Sequence, residues 1–353
     1  MNKKVVIIGG GIAGMESATY LSAMKYKVTI LEKEDKIGGH LLKWESLFPT
    51  RRLGSEVVRF LSEGVDCEHV KVMNNVNIKG IEKTTDNPEF KINLGDEIIS
   101  ADAILITTGY DLFDARKKEE YGYGIYNNVI TSADLEEIFL NNKEIKTASG
   151  KTPKRIGFIS CVGSRDEKVG NLYCSQVCCI TGVKQAVEIK EKLPNTEVFC
   201  FYMDLRMFGR YYEEEYIGAQ EKGVNFIRGR LSEACENLDE SIVIKVEDTL
   251  TGSPLKMNVD ILVLLIGFVP SEGTKNICKM LNLELGIDNF IKTKDEHTMT
   301  NVSNIRGVFL AGACTGPKCI TNTITDARAA AAKVASFLKD YDIEGRTTEK
   351  YKK

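Results

Sequence analysis

Four of the ten cysteines lie within 19 residues of one another, and their spacing could support metal or redox chemistry. Cys161, Cys174, Cys178 and Cys179 follow the pattern C-x12-C-x3-C-C. On a helix, Cys174 and Cys178 share a face, whereas adjacent Cys178 and Cys179 point about 100° apart. One small Zn²⁺ ion is awkwardly held by such neighbours, but a 4Fe–4S cluster offers four separated irons. The spacing therefore favours an iron–sulfur cluster.

Three other interpretations of these cysteines remain open. Free cysteines can act as small buried hydrophobic residues, and four thiolates also suit a structural zinc ion. They could also supply a redox-active pair for disulfide reduction, but the chain contains no C-x-x-C motif. Cys314 and Cys319 have no identifiable base or partner, so we interpret them as packing residues.

A second group with chemical potential is the glycine-rich turn Gly9–Gly14, which reads G-x-G-x-x-G after a β-branched run. In such a turn Gly9 makes the tight bend, Gly11 lets the backbone approach a pyrophosphate, and Gly14 allows close helix–strand packing. The following helix directs its N–H groups at the phosphates. Glu32 ends the next predicted strand and can accept hydrogen bonds from ribose hydroxyls. Together these features predict a dinucleotide site.

Two further segments resemble the signatures of flavoproteins that have two dinucleotide-binding domains. Ile104–Gly109 resembles their strand followed by (A/T)TG, and Thr300–Gly312 resembles their second flavin motif. In those proteins that motif closes Gly-Asp, and the Asp binds the ribityl chain, but Ala313 follows here. A helix that opens near Ile320 would point its positive end at the flavin pyrimidine. The resemblance implies FAD at this site.

Two side chains near these motifs each have two interpretations. Lys318 could place its ammonium near the flavin N5 or pyrimidine edge, or it could be a solvent-exposed loop lysine. His40 follows the Gly38-Gly39 pair and could line the pocket or be structural. The residues expected to contact FAD are Gly9, Gly11, Ile12, Ala13, Gly14, Glu32, Lys33, Gly39, His40, Thr108, Gly109, Gly312, Ala313, Lys318 and Ile320.

The elements that position these residues are short β-branched runs that alternate with helical stretches. This alternation predicts an α/β fold with parallel sheets. Between the runs, Ser132 is the predicted N-cap of a helix with acidic residues in its first turn. The runs predicted as strands are Val5–Ile8, Val28–Leu31, Ile104–Thr107, Ile156–Ser160, Val198–Tyr202, Val224–Ile227, Ile261–Ile266 and Val308–Ala311.

The flavin motifs stand at both ends of the chain, which predicts two Rossmann-like domains, one inserted into the other. We expect a discontinuous FAD-binding domain of residues 1–115 plus 270–340. An inserted domain, NAD-domain-like and carrying the cluster, is expected at residues 150–268. Residues 112–153 read as a connection and residues 341–353 as a tail.

The inserted domain departs from the pyridine-nucleotide pattern at its own first turn. In two-domain flavoproteins of this kind, that turn carries a second G-x-G-x-x-G for NAD(P)H. Here the turn is Cys161–Asp166, and Gly163 is its one glycine. Arg165 stands where the third glycine would pack, so a pyrophosphate has little room. We therefore expect no direct NAD(P)H binding, and we expect Arg165 and the next helix N-terminus to offset the charge of a thiolate-ligated cluster.

Composition excludes several classes of protein. With 47 Lys+Arg against 50 Asp+Glu in 353 residues, the chain lacks the basic excess of a nucleic-acid-binding protein. Its longest apolar run, Ile261–Val269, is far shorter than the roughly 20 residues that span a bilayer. The glycine-rich start is unlike a signal peptide. We expect a cytoplasmic protein without a membrane span or nucleic-acid partner.

The chain resembles the A subunit of heterodisulfide reductase and the related A subunit of the quinone-interacting oxidoreductase complex. The resemblance spans nearly the whole chain and implies a thioredoxin-reductase-like fold with FAD. It also implies that Cys161, Cys174, Cys178 and Cys179 ligate a 4Fe–4S cluster. The segments that carry it are Cys161–Glu167, Tyr173–Cys179, Lys184–Ala186, Phe201–Asp204, Arg206, Phe208-Gly209 and Arg228–Arg230.

This sequence also departs from that family. Full-length members carry an N-terminal iron–sulfur region and inserted ferredoxin domains with C-x2-C-x2-C-x3-C-P, and no such run occurs here. We therefore expect a short form that relays electrons between FAD and the cluster within a complex of heterodisulfide-reductase-like subunits. Family analogy implies a homodimer. The alternatives are an NAD(P)H-dependent flavoprotein disulfide reductase and a non-catalytic assembly subunit.

Overall fold

Strands and helices alternate along the chain as the apolar pattern predicts, and each predicted strand overlaps an observed one. The computed structural model describes residues 3–84 and 89–339. The predicted tail lies outside the described residues. In chain order the strands are β1 (Lys4–Ile8), β2 (Lys27–Leu31), β3 (Ser46–Leu47), β4 (Arg52–Leu53), β5 (Val70–Met73), β6 (Gly80–Lys83), β7 (Phe90–Asn93), β8 (Ile98–Ala101), β9 (Ala103–Ile106), β10 (Tyr110–Leu112), β11 (Val129–Thr131), β12 (Arg155–Val162), β13 (Glu197–Tyr202), β14 (Val224–Arg228), β15 (Leu231–Glu236), β16 (Ile242–Asp248), β17 (Ser253–Val259), β18 (Ile261–Ile266), β19 (Phe268–Pro270) and β20 (Val308–Leu310).

Each α-helix follows one of these strands along the chain. Among the described residues, none of them combines the length and the apolar character that a bilayer crossing requires. The helices are α1 (Ile12–Ala23), α2 (Gly54–Val65), α3 (Ser132–Leu140), α4 (Cys178–Lys192), α5 (Tyr212–Glu221), α6 (Glu272–Leu281) and α7 (Ile320–Leu338).

The described residues form two units. The first comprises those of Met1–Leu42, Ser55–Asp111 and Pro270–Lys353, and the second is Lys43–Gly54 with Leu112–Val269. Each contains a five-stranded parallel sheet with helices, so the predicted α/β architecture of two Rossmann-like domains is confirmed.

The first unit has the strand order β20-β9-β1-β2-β5. Val5–Ile8 pair with Val28–Leu31 on one side and with Ala103–Ile106 on the other. These strands are buried, which explains their continuous apolar runs. β1, α1 and β2 form a βαβ unit, and β9 lies on the opposite side of β1. The order in which strands are added to the sheet therefore reverses at β1. In open α/β sheets, ligands bind at such a reversal point, at the carboxyl end of the strand.

The second unit repeats this arrangement with the order β11-β18-β12-β13-β14. β12, α4, β13, α5 and β14 follow one another to one side, whereas β18 pairs with the other side of β12. The equivalent reversal point is therefore the carboxyl end of β12, at Cys161 and Val162. Smaller antiparallel sheets add β6-β7-β8 to the first unit and β15-β16-β17 to the second.

The observed boundaries differ from the predicted ones. Residues 112–153, interpreted as a connection, belong to the second unit, because Val129–Thr131 form an edge strand of its parallel sheet. Residues 43–54 also belong to the second unit and were not predicted to do so. The predicted N-cap Ser132 is wrong by one residue, since Thr131 Oγ1 accepts the N–H of Asp134 and Asp134 accepts the N–H of Thr131.

Candidate cofactor sites

The glycine turn of the first unit has the geometry that its sequence predicts. Gly9 has a φ of 110°, and a Cβ there would lie 2.5 Å from the carbonyl oxygen of Thr107. A Cβ on Gly14 would lie 2.0 Å from the Gly9 oxygen. Thr107 Oγ1 donates to that same Gly9 oxygen at 2.7 Å. Gly9 and Gly14 therefore serve packing and the bend itself.

Gly11 differs from its neighbours because it faces open space. A Cβ on Gly11 would meet no atom within 4 Å. Gly11 is also the N-cap of α1 and makes no side-chain capping hydrogen bond, so the first N–H groups of α1, at Ile12 and Ala13, are not capped by a side chain. An open surface beside uncapped N–H groups suits a phosphate.

Glu32 lies next to this turn and is 6% exposed. Its Oε2 accepts the Gly10 N–H at 2.7 Å, and its Oε1 accepts the Glu34 N–H at 2.9 Å. Each carboxylate oxygen has a second lone pair, so both can still accept a ribose hydroxyl. The predicted contact Lys33 instead points outward, with Nζ 3.5 Å from Glu34 Oε1 and its side chain 66% exposed.

Gly39 and His40 lie against the same turn from the next loop. The Gly38 N–H donates to the Gly10 oxygen at 2.8 Å. A Cβ on Gly39 would lie 3.2 Å from the Gly11 Cα. The His40 ring stacks on Tyr110 at 4.3 Å between centroids, and its Nε2 is 2.7 Å from the Tyr110 oxygen.

The C-terminal flavin segment also reaches the glycine turn. Gly312 has a φ of 77°, and a Cβ there would lie 2.9 Å from the Ala13 Cβ. Ala313, which follows it, is buried. α7 begins at Ile320, and its N-cap Cys319 makes no capping hydrogen bond. Thr107, which hydrogen-bonds to Gly9, directly precedes the predicted contacts Thr108 and Gly109. The structure therefore brings all three predicted FAD segments together.

An aspartate occupies this region although the motif lacks its usual one. Asp326 of α7 accepts the Gly312 N–H at 2.8 Å and the Asn301 Nδ2 at 2.7 Å. Lys318 Nζ lies 3.7 Å from Asp326 and donates to the Gly312 oxygen at 3.1 Å. The structure thus ties Lys318 to the Gly312 turn. The sequence analysis missed Asp326, for which N-x24-D between Asn301 and Asp326 is the only signal.

The cysteine turn of the second unit occupies the equivalent point of its own sheet. Cys161 has a φ of 62° and Arg165 a φ of 53°, conformations that non-glycine residues seldom adopt. Gly163 has a φ of 78°, and a Cβ there would lie 2.0 Å from the Phe113 ring. The space beside the single glycine of this turn is therefore occupied by the Phe113 ring. This turn lacks the open surface that lies beside Gly11.

Hydrogen bonds hold the two ends of the C-x12-C loop together. The Arg165 N–H donates to the Tyr173 oxygen at 2.9 Å. Asn171 Nδ2 donates to the Gly163 oxygen at 2.9 Å, and Asp166 and Asn171 form an antiparallel bridge. The loop therefore returns Cys174 towards Cys161.

The four predicted ligands form one group of thiols. Cys161, Cys178 and Cys179 are buried, and Cys174 is half-buried. The pKa of Cys161 is raised to about 11, chiefly by burial and also by Cys179 and Cys174, while Arg165 opposes the rise. Burial also raises the pKa of Cys178, with additional contributions from the other three thiols. Each of these thiols therefore lies near enough to the others to repel a thiolate.

Two buried donors in this turn make no hydrogen bond within the protein. They are Ser164 Oγ and Arg165 Nη1. Arg165 Nη2 donates to Asp204 Oδ2 at 2.7 Å, and the Cys179 thiol lies 3.7 Å from the Asp204 carbonyl oxygen. Unsatisfied buried donors are costly and call for an acceptor.

These observations test the fit of the implied groups. The open Gly11 surface, the uncapped helix starts and Glu32 fit FAD. Four neighbouring thiols with two unsatisfied donors fit an anionic iron–sulfur cluster, whose four irons are separate. Within the described ranges, no group of three or more His, Cys, Asp or Glu side chains converges as a site for a single metal ion would.

A buried ion-pair network that the sequence analysis missed supports the cysteine turn. Lys118 Nζ lies 2.8 Å from both Asp166 Oδ2 and Glu120 Oε1. Arg230 Nη2 lies 3.1 Å from the same Asp166 oxygen. Asp166 Oδ1 accepts the Lys168 N–H at 3.1 Å. The loop between Cys161 and Cys174 is therefore anchored by opposite charges inside the unit.

Sequence comparison identifies the relatives of this chain. It is 33% identical to the iron-sulfur A subunit of the CoB–CoM heterodisulfide reductase from Methanocaldococcus jannaschii, over 95% of this chain and 64% of that one. It is 32% identical to the A subunit of the H2:CoB–CoM heterodisulfide,ferredoxin reductase from Methanothermobacter thermautotrophicus, over 98% and 65%. The chain is homologous to the A subunits of heterodisulfide reductases. The resemblance noted from its motifs is confirmed.

This A-subunit homologue spans less than two thirds of the length of those relatives. The first alignment is 421 residues long, against 353 residues here, so that relative has residues within the matched region that the homologue lacks. Residues 1–136 match the family described as pyridine nucleotide-disulphide oxidoreductase. The N-terminal part of the homologue is therefore similar to an oxidoreductase family that implies FAD.

Solved structures show the fold of the homologue. Thioredoxin reductase from Lactococcus lactis superposes with a TM-score of 0.66 at 20% identity, covering 96% of this chain and 99% of that one. The T. acidophilum thioredoxin reductase gives 0.64 at 18% identity, covering 95% and 98%. The predicted thioredoxin-reductase-like fold is confirmed.

Proposed function

We propose that this protein is an electron-transfer subunit of a heterodisulfide-reductase-like complex, containing FAD in its first unit and a 4Fe–4S cluster in its second. One observation carries the proposal. In both parallel sheets the strand order reverses at the central strand. At that point the first sheet has an open glycine turn, whereas the second has four thiols. A nucleotide suits the first point and a metal cluster suits the second.

At the first point the chain's residues bind and orient the dinucleotide. Gly11 and the start of α1 receive the pyrophosphate, Glu32 the adenosine ribose, and Asp326 with the start of α7 the flavin end. When bound, FAD supplies a group that exchanges one or two electrons. Lys318, tied to the Gly312 oxygen, adds a positive charge beside that end of the site.

At the second point Cys161, Cys174, Cys178 and Cys179 hold the cluster, which supplies one-electron transfer when bound. Burial of three of these thiols excludes water from the group. NAD(P)H does not bind there directly, because the Gly163 position is filled by the Phe113 ring and Cys161 replaces the first glycine. The pairing of a two-electron group with a one-electron group supports a relay.

The partners in this proposal are other subunits of a cytoplasmic complex, and the chain itself forms a homodimer. The names of the relatives support other subunits as partners, since each relative is the A subunit of a heterodisulfide reductase. We further propose that the chain works without nucleic acid and without a span of its own in the membrane. Affinity purification of the tagged chain, with identification of the subunits that come with it, tests the complex. Light scattering of the purified chain tests the dimer.

The test of the cofactors is an anaerobic purification followed by counts of FAD, iron and acid-labile sulfide. We expect one FAD, four irons and four sulfides per chain, with an EPR signal after reduction by dithionite. A chain that binds FAD but no iron or sulfide contradicts the cluster. A reconstitution with iron and sulfide before the count separates loss during purification from a true absence.

Rapid mixing with NADH separates the relay from a pyridine-nucleotide disulfide reductase. We expect the flavin absorbance to stay unchanged, and dithionite to bleach it in the same sample. Fast stoichiometric bleaching by NADH or NADPH contradicts the relay and favours the reductase. Cofactors that dithionite cannot reduce favour a non-catalytic assembly subunit.

A further inference from the structure

The Arg165 guanidinium is held between a cysteine and an aspartate. Its Nη2 donates to Asp204 Oδ2 at 2.7 Å, and its side chain is 19% exposed, whereas that of Asp204 is 46% exposed. The Cys179 thiol lies 3.7 Å from the Asp204 carbonyl oxygen, so the Arg165–Asp204 pair lies directly beside the thiol group. Arg165 Nη1 is buried and makes no hydrogen bond. One side of the cation is thus paired with Asp204, and the other lies beside the Cys161 thiol.

The backbone fixes this arrangement. Arg165 adopts a positive φ of 53°, and its N–H donates to the Tyr173 oxygen. Both features fix the backbone at Arg165, from which the side chain extends to Asp204. A charged donor that is buried, fixed and short of an acceptor is costly. An anionic group at the thiols would supply the missing acceptor.

We infer that Arg165 sets how readily the group held by the four cysteines accepts an electron, and that Asp204 moderates this effect; the inference rests on the proposed function. Uptake of one electron adds one negative charge to a thiolate-ligated group. A fixed positive charge with an N–H beside Cys161 stabilises that added charge. Asp204 partly neutralises the same guanidinium, so it acts in the opposite direction.

A purely structural role predicts a different result. If Arg165 and Asp204 only hold the loop, removing either partner disturbs the thiols in the same way. If they act by charge, removing the cation and removing the carboxylate shift the midpoint potential in opposite directions. The sign of the two shifts therefore separates the two roles.

The experiment is a redox titration of the EPR signal in the full chain loaded with FAD and cluster. The variants are Arg165→Met, Arg165→Lys and Asp204→Asn, each with its iron count. Arg155→Met is the matched control, because Arg155 also pairs with a carboxylate at 2.6 Å, on Glu197, but at the opposite end of β12.

We expect Arg165→Met to lower the reduced-to-oxidised ratio at fixed potential about tenfold, a shift of about 59 mV to lower potential. Asp204→Asn should raise the midpoint, while Arg165→Lys and Arg155→Met should stay near the wild-type value. If Arg165→Met loses its iron, the rise in Asp204→Asn and the wild-type value of Arg165→Lys decide the question, and failure of either overturns the inference.

Two further outcomes have distinct meanings. This inference alone is overturned if the wild type binds the cluster and the midpoint of Arg165→Met equals the wild-type value. It is also overturned if Arg165→Met and Asp204→Asn shift the midpoint in the same direction. A wild-type chain that binds no iron after reconstitution overturns the proposed function and this inference with it.

Discussion

Lys118 Nζ lies 2.8 Å from Asp166 Oδ2, and both side chains are only 2% exposed. Buried charges of this kind depend strongly on their partner, since desolvation is repaid only by the pairing itself. Asp166 also accepts the Lys168 N–H and forms the bridge to Asn171, so it links the ion pair to the loop between Cys161 and Cys174.

Replacing one member of this pair should destabilise the second unit. We expect Lys118→Met to lower the free energy of unfolding by about 3–5 kcal/mol, because it leaves the buried Asp166 carboxylate without its main partner. The double variant Lys118→Met/Asp166→Leu should lose much less. Trp44 is the single tryptophan and lies in the second unit, so its fluorescence in urea reports this unfolding in the apoprotein. Equal losses in both variants would contradict the pairing argument.

Two glycines of the same turn should respond differently to alanine. Gly14→Ala places a Cβ 2.0 Å from the Gly9 oxygen and should destabilise the first unit by about 1–3 kcal/mol or more. Gly11→Ala meets no atom, so the apoprotein should keep its stability within about 1 kcal/mol. Its FAD affinity should nevertheless fall by about tenfold or more, because the methyl group occupies the pyrophosphate surface. Thermal unfolding and FAD titration check both; wild-type FAD affinity in Gly11→Ala would contradict the proposed site.

Loss of a single proposed ligand should remove the cluster and spare the flavin. We expect Cys174→Ala to lose most of its iron and sulfide, since three thiolates leave one iron without its protein ligand. FAD content should stay at the wild-type level, because Cys174 lies in the other unit. Cys235→Ala, which changes an exposed free cysteine of the same unit, is the control. Full iron content in Cys174→Ala would show that the ligand assignment is wrong.

Glu188 should make the second unit less stable as the pH rises. Burial raises its pKa above the ordinary 4.5, although Lys184, Ser46 and Arg51 oppose the shift. Between pH 4.5 and the raised pKa, the folded state binds more protons than the unfolded state. The contribution of this proton to stability is therefore fully present below pH 4.5 and is lost as the pH rises through the raised pKa. Glu188→Gln cannot titrate and should lack this loss.

The measurement is urea unfolding of wild type and Glu188→Gln, followed by Trp44 fluorescence from about pH 4 to about pH 8. The difference in unfolding free energy should change by about 1.4 kcal/mol for each unit of raised pKa. Glu191→Gln on the same helix is the control, since Glu191 is 52% exposed and pairs with Lys222 at the surface. Parallel pH curves for wild type and Glu188→Gln would refute the prediction.

Local sequence patterns were sufficient for the strands and for the glycine turn. Continuous Val and Ile runs predict buried parallel strands, and Gly9 and Gly14 meet steric demands that the spacing of the motif already implies. The position of Cys161 at the end of β12, and of Cys178 and Cys179 at the start of α4, also follows from local order. Thr131 and Ser132 are both good N-caps, so the sequence could not choose between neighbours.

Features that depend on distant partners could not be predicted in this way. Asp166 lies 48 residues after Lys118, and nothing local marks either as buried. Asp326 reaches Gly312 because α7 returns past it. Residues 43–54 join the second unit through bonds such as Ser46 Oγ to Glu188 Oε1, which span 142 positions. Such long-range pairs appear only when the fold is known.

The interrupted order of the first unit has a consequence for how the protein is made. Its sheet takes β20 from residues 308–310, and α1 is bonded to α7 through Ser17 Oγ and the Ala327 oxygen. The second unit needs nothing beyond Val269. Domains that emerge from the ribosome usually fold from the N-terminus onward. In this chain the order of folding is reversed. The cysteine turn can form during synthesis, whereas the glycine turn is complete only after α7 has been synthesised.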